Sequence, residues 1–477
     1  MVSILIPSSV FLVIYWARYF LLTKKQGKKL PLILPLAFTC LFIPKVNLIQ
    51  VNPDHSMAGI RTDDVLAFLM LVIALRDAHT WKNRKVLTGL AFLLALSVSN
   101  FISIFVGRSM GFNNAIPFSI LFILRRFEYF AFVPIGIYLA RKTENIERVA
   151  LREYTWVFFF HVVIALLQVA GICNYATMGF VDFCPDYWQG YAISTFNGHY
   201  EYGQFLCFGT AIYLCVFLRT KKFAWLGMLA ASFGMVWLTK CRSVMIVAAL
   251  LIIIILFFTA LKTRKRWLRI SLIVIMVLIL VFAVLVITGV INIGRFGSID
   301  FEEYRAAWEY YKKYDELGVY VNYVRGLTPV EYGMGFDIKD GSAAGRFYKW
   351  WNAMDGFYMS PAFGYGTGVT QVMDGNYFKL LGEGGLIGTI LWLAMFLYFM
   401  WIVWKQRMKI IPARSVFYMM VSVMLAAFFI DMFEASKPME MLWLAIGMVI
   451  GIESLKPEES ERAAGESARR KNGSCGS

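Results

Sequence analysis

Runs of about 17–25 mostly apolar residues recur along the chain, separated by polar connections. They fall near residues 3–22, 31–46, 63–76, 87–106, 117–140, 154–173, 201–218, 223–239, 243–261, 270–291, 386–404, 415–433 and 441–454. A helix of about 20 residues crosses the roughly 30 Å hydrocarbon core of a bilayer. The pattern predicts an all-α polytopic membrane protein with about thirteen transmembrane helices, or 12–14 once short and Pro-interrupted runs are allowed for. Four units follow: membrane helices 1–10 over residues 1–291, one large loop over 292–375, membrane helices 11–13 over 376–454, and a polar tail over 455–477 expected to be disordered. The first run lacks a basic leading segment and ends at "LLTKKQGKK" rather than at small residues, so it is expected to be a retained helix rather than a cleaved signal.

Composition agrees with this reading. The chain is 59% hydrophobic and 16% charged, against about 25% charged for a soluble domain. A net charge of +16 could suggest nucleic acid, but its placement argues otherwise. The segments "TKKQGKK", "RDAHTWKNRK", "RKTENIER", "RTKK", "KTRKRWLR" and "KQRMK", with the tail from Lys456, hold most of the basic residues and lie between alternate spans. Residues 174–200 hold none. The positive-inside rule then puts the basic side in the cytoplasm, the N-terminus outside and the C-terminus inside. Of the cysteines, only Cys173 and Cys184 share the outer side, where a disulfide could form.

The loop at 292–375 is the principal outer mass. Its "FEEYRAAWEYYKKYDELGVYVNYV" has helical spacing of apolar residues, and "AGRFYKWWNAMDGFYMSPAFGYGTG" is dense in aromatics. Tyr348, Trp350, Trp351 and, just beyond the loop, Tyr377 offer flat apolar faces with polar rims, suited either to stacking on sugar rings or to packing at the membrane interface. Ionisable groups within spans mark function by default. "FILRRFEYFAF" places Arg125 and Glu128 in the fifth span, where an internal pair or snorkelling would also explain them. "VWLTKCRSVMIV" places Lys240 and Arg242 at an outer hairpin, where Arg242 can snorkel to lipid phosphate or grip a pyrophosphate through its planar fork. Asp374, in "DGNYFKLLGEGGLIG", either caps a helix or acts as a base. His199, Glu201 and Asp64 are further candidates, although an acid at the start of the third span is also explained by capping. The sequence has no metal-binding motif, and neither a metal nor another cofactor is expected.

The order of these features resembles the O-antigen polymerase and O-antigen ligase superfamily of bacterial envelope glycosyltransferases. "GIRTDDVLAFLML", "STFNGHYEYGQFL" (without the usual Pro) and "TKCRSVMIVAAL" (with Cys241 in place of the usual Ser) carry part of the match. "GRFYKWWNAM…SPAFGYGTG…DGNYFKLLGEGGLIG" carries its most specific part, and together they cover roughly residues 60–400. The resemblance implies a GT-C-like, metal-independent enzyme of the bacterial inner membrane. Its substrates would be undecaprenyl-pyrophosphate-linked oligosaccharides at the periplasmic face, and its partner a polysaccharide chain-length regulator. Carried over by position, Arg242 and Arg346 would bind pyrophosphate, with Arg125 as a further candidate, and Asp374 would stand where ligases have a histidine. An acid there favours a polymerase of lipid-linked repeat units over a ligase to lipid A core. Two more rivals stay open: a metal-dependent glycosyltransferase using Asp63 and Asp64, disfavoured because no His or second acid adjoins the pair, and a flippase for lipid-linked sugars.

Overall fold

The computed structural model describes residues 1–26, 30–50, 59–112, 116–177, 180–183, 188–287, 341–370, 373–407 and 410–473, with residues 302, 305, 306 and 309. The helical segment expected at 301–324 therefore lies almost wholly outside the described residues, as does Cys184 with its pairing. The helices are α1 (Leu5–Gln26), α2 (Ile33–Phe42), α3 (Thr62–Leu75), α4 (Ala78–Trp81), α5 (Arg84–Ser109), α6 (Ile116–Lys142), α7 (Ile146–Val169) and α8 (His199–Thr220). They continue as α9 (Phe223–Leu238), α10 (Arg242–Lys262), α11 (Arg266–Ile287), α12 (Gly341–Met359), α13 (Asn376–Gln406), α14 (Ile411–Ala426) and α15 (Ser436–Gly473). A helix coincides with every predicted span. Two small antiparallel hairpins, β1 (Asn47–Gln50) with β2 (Gly59–Arg61) and β3 (Tyr175–Thr177) with β4 (Phe180–Phe183), were not foreseen.

Among the described residues, seven helices are long and apolar enough to cross a membrane: α1, α5, α7, α8, α10, α13 and the first part of α15. Ile33–Phe42, Phe223–Leu238 and Pro412–Ala426 are apolar but shorter. Ten residues at 1.5 Å each rise about 15 Å, half the hydrocarbon thickness, so α2 alone cannot reach across. It is instead almost entirely buried among its neighbours. The last helix continues to Gly473 through the segment expected as a disordered tail.

The outward faces are apolar, as a lipid-facing surface requires. α1 exposes Val13 at 67% and Leu21 at 68%, while its Tyr15 is 2% exposed against the bundle. In lipid, hydrophobicity alone does not pull helices together, so close backbone approach must contribute. The crossing of α6 and α15 depends on this. A Cβ on Gly136 would lie 2.2 Å from the Leu444 carbonyl oxygen, and one on Gly447 would lie 2.1 Å from that of Val133. At the N-terminus, Val2 N–H donates to the Ile172 carbonyl at 2.8 Å and the Val2 carbonyl accepts from Asn174 N–H at 3.0 Å. The N-terminus thus shares the end of the bundle opposite the basic loops, hereafter called the outer end after the orientation expected from the sequence.

Candidate functional site

The outer start of α13 is built around a three-residue turn. Asp374 adopts φ 55°, a left-handed conformation that Asp tolerates better than most residues. The Asp431 carboxylate fixes it: Oδ2 accepts from Met373 N–H at 2.7 Å and Asp374 N–H at 3.3 Å, and Oδ1 accepts from Gly375 N–H at 3.2 Å. Asn376 Oδ1 accepts from Phe433 N–H at 2.6 Å, tying the same turn to the 3₁₀ turn Met432–Glu434. Gly375 occupies the N-cap position of α13 with no side-chain cap, so Asp374 is not the helix cap. Lys349 Nζ instead donates to its Oδ2 at 2.8 Å, and Oδ1 takes no hydrogen bond among the described residues.

Lys349 comes from α12, where Arg346, Lys349 and Trp350 fall on one face by the i, i+3, i+4 rule. Trp350 Nε1 donates to the Asp374 carbonyl at 3.2 Å, and its ring stacks on Phe378 with centroids 4.7 Å apart. Arg346 is half-buried, and its Nε has no hydrogen-bond partner among the described residues. Trp351 is also half-buried, while the Tyr348 side chain lies outside the described residues. Tyr377 is committed to packing: its hydroxyl donates to the Met424 carbonyl at 2.9 Å and its ring lies 4.5 Å from Phe428.

The glycines further along α13 serve a break. Gly385 sits at φ 61°, ψ −166°, dividing α13 into two helical pieces. The freed carbonyls of Gly382 and Glu383 accept from Tyr365 N–H at 2.9 Å and Gly366 N–H at 3.2 Å, and Leu386 N–H donates to Pro361 at 2.8 Å. Non-helical backbone at membrane depth survives when protein satisfies it in this way. The Glu383 carboxylate accepts from Gly368 N–H at 3.1 Å and Thr370 N–H at 2.9 Å. Lys379 Nζ pairs with Glu434 at 2.8 Å. Burial pushes the Glu434 carboxyl up, and Lys379 offsets part of that rise.

Arg242 opens α10 and His199 opens α8. His199 stands close enough to the buried Cys241 thiol to act on it electrostatically, and the sulfur lies 3.3 Å from Ser243 Oγ. Burial pushes that thiol up, but His199, Ser243 and the Val244 backbone together bring it down to about 7. Trp188, Tyr191 and Tyr200 surround the imidazole, with centroids 5.3–6.1 Å away. Tyr200 is within electrostatic range of Cys241, Asp431 and Asp374, so the structure brings the Arg242 hairpin and the Asp374 turn to one neighbourhood. Glu201, 5% exposed, points into the bundle.

A second cluster lies deeper. Lys45 Nζ bridges Asp63 and Glu440, the latter at 2.5 Å. Asp64 accepts from Arg61 N–H at 2.7 Å, and an Arg125 guanidinium nitrogen donates to the Gly59 carbonyl at 3.3 Å. Glu128 stands beside Asp63 and Asp64, with one oxygen of each carboxylate within 4.8 Å of the others. This corrects the expectation that no further acid adjoins the pair: α6 supplies one from 64 positions along the chain. The oxygen donors suit a hard divalent cation, although Lys45 already compensates Asp63.

Residues 226–393 match the family model described as O-antigen ligase. That segment contains Arg242, Arg346 and Asp374, and the match supports a relation to the O-antigen polymerase and ligase superfamily. No curated protein matches the chain. Sequence reasoning missed Lys349, Asp431, Lys45 and Glu440. Two of them had a legible signal, since Lys45 and Asp431 lie within predicted spans, where charge marks function.

Proposed function

We propose that the chain polymerises lipid-linked oligosaccharide repeat units on the outer face of the bacterial inner membrane, as a GT-C-type glycosyltransferase with about thirteen crossings and a cytoplasmic C-terminus. The observation that carries this reading is Asp374: one carboxylate oxygen is held by Lys349, a helical turn from Arg346 on the facing helix, while the other has no partner among the described residues. In the reaction, the anomeric carbon of the growing glycan loses its bond to the undecaprenyl pyrophosphate oxygen. It bonds to a hydroxyl oxygen of the incoming lipid-linked repeat. Asp374 takes the hydroxyl proton, and Arg242 and Arg346 stabilise charge on the departing pyrophosphate. Trp350 and Trp351 border the glycan path, and a chain-length regulator is the expected partner. An acid rather than histidine at position 374 supports polymerisation over ligation. The test is the lipid-linked glycan profile of a deletion strain. Rescue of long chains by the wild type but not by Arg242→Ala or Arg346→Ala supports the reading. Normal ladders from both variants, or polymer made without this protein but no longer transferred to lipid A core, would overturn it.

The Asp63, Asp64 and Glu128 grouping supports a second reading, a metal-dependent transferase. Activity abolished by EDTA and restored by Mg²⁺ or Mn²⁺, together with inactivity of Asp64→Asn, would favour it over the first.

A further inference from the structure

A cavity of about 940 Å³ opens at the basic end of the bundle, far along the helices from Asp374. Its deep wall is apolar, formed by Leu41 of α2, Ile212 of α8, Met419 of α14 and Met448 of α15. Its rim is the α6–α7 turn with the end of α8, and there four basic side chains, Arg141, Lys142, Arg148 and Arg219, face two acids, Glu144 and Glu147. Arg141 and Lys142 lie 3.9 and 3.6 Å from the Asp77 carboxylate. Thr143 lies at the junction of rim and wall. It is 4% exposed, and its hydroxyl has no hydrogen-bond partner among the described residues.

Each feature selects for the same occupant. A cavity of this size with an apolar interior and a few polar groups at one end is a ligand site by shape and chemistry. Water would leave the apolar wall unsatisfied, while a wholly apolar guest would leave the Thr143 hydroxyl unpaired and the excess positive charge unmatched. A basic pocket between helices on the side bearing the positive loops fits an anionic lipid headgroup. We infer that this cavity binds an anionic phospholipid, its phosphate at Thr143, Arg148 and Arg219 and an acyl chain along α2, α8, α14 and α15. The site is separate from the proposed transfer site and does not depend on that reading.

Delipidated protein in detergent, offered equal phosphatidylglycerol and phosphatidylcholine, tests the inference by native mass spectrometry. The wild type should retain one phosphatidylglycerol in preference to phosphatidylcholine. Arg148→Gln with Arg219→Gln, both at exposed positions, should reduce that preference by roughly 30-fold. Ala445→Trp, which fills the cavity, should abolish retention. Should that variant misfold, the double glutamine variant still decides. Equal retention of the two lipids by the wild type, or an unchanged preference in the double variant, overturns the inference.

Discussion

Two ion-pair clusters sit toward the outer end of the same bundle, and they differ in solvation. Around Lys45 the charges are closed off: side-chain exposure is 1% for Lys45, 4% for Asp63 and 0% for Glu440. In the Lys349–Asp374 pair the values are 22% and 32%. Removing one partner from a fully buried pair leaves an uncompensated charge, whereas a solvated pair is held by roughly 0–1 kcal/mol and can open cheaply. The closed cluster ties the segment after α2 to α3 and α15, while the open pair leaves a carboxylate oxygen without a partner among the described residues. Burial of charge in a membrane thus marks architecture as readily as activity; the distinguishing sign is access, since the Lys45 cluster is sealed while the Asp374 carboxylate is partly exposed.

The sharpest way to break this contrast is to neutralise each cluster in turn. Asp374→Asn should lower glycan transfer by about 10²–10⁴-fold while the purified protein keeps its melting temperature; transfer within a few-fold of wild type would reduce Asp374 to a turn residue. Lys45→Met should act in the opposite sense, costing about 3–5 kcal/mol of stability and removing the monodisperse peak in detergent. A stable variant would mean the buried cluster is not structural. Asp431→Asn weakens the acceptor for three backbone N–H groups and should cost about 1–3 kcal/mol, with lower transfer because the turn carrying Asp374 loosens. Tyr377→Phe should cost only about 1 kcal/mol and leave transfer unchanged; a large loss would return Tyr377 to the glycan path.

The smallest expected effect depends on pH. The Cys241 value in the folded chain, about 7, lies below the free thiol's 9.0. Its contribution to stability is therefore complete only above about pH 9 and is lost as pH falls through about 7. Melting curves of wild type and Cys241→Ser across that window should converge at the acid end. Parallel curves would show that His199 does not shift the thiol.

The helices were legible because apolar length in a bilayer is a one-dimensional property. Much of the candidate site was legible too, since Arg242, Arg346, Asp374 and Trp350 stand in recognisable runs. Their arrangement was not. The series "LGEGGLIG" announces flexibility, but which backbone groups the break at Gly385 frees, and that residues 361–366 pair with them, depends on a loop folding back on α13. Capping was a reasonable expectation for Asp374 from local sequence, yet a carboxylate 57 positions away took hold of the turn and left the side chain for Lys349.

The sequence by itself determined a multi-pass helical membrane protein, with basic loops at one end and a relation to the O-antigen polymerase and ligase superfamily. Hydrophobic length, charge placement and short motifs are all local along the chain. Tertiary structure alone decided which charges are sealed and which are open. It brought Glu128 to Asp63 and Asp64, Lys45 to Glu440, and Asp431 to the backbone of residues 373–375. These contacts join residues tens to hundreds of positions apart, and in a medium that cannot solvate charge, the partner a buried group finds determines whether it supports the fold or remains available for chemistry.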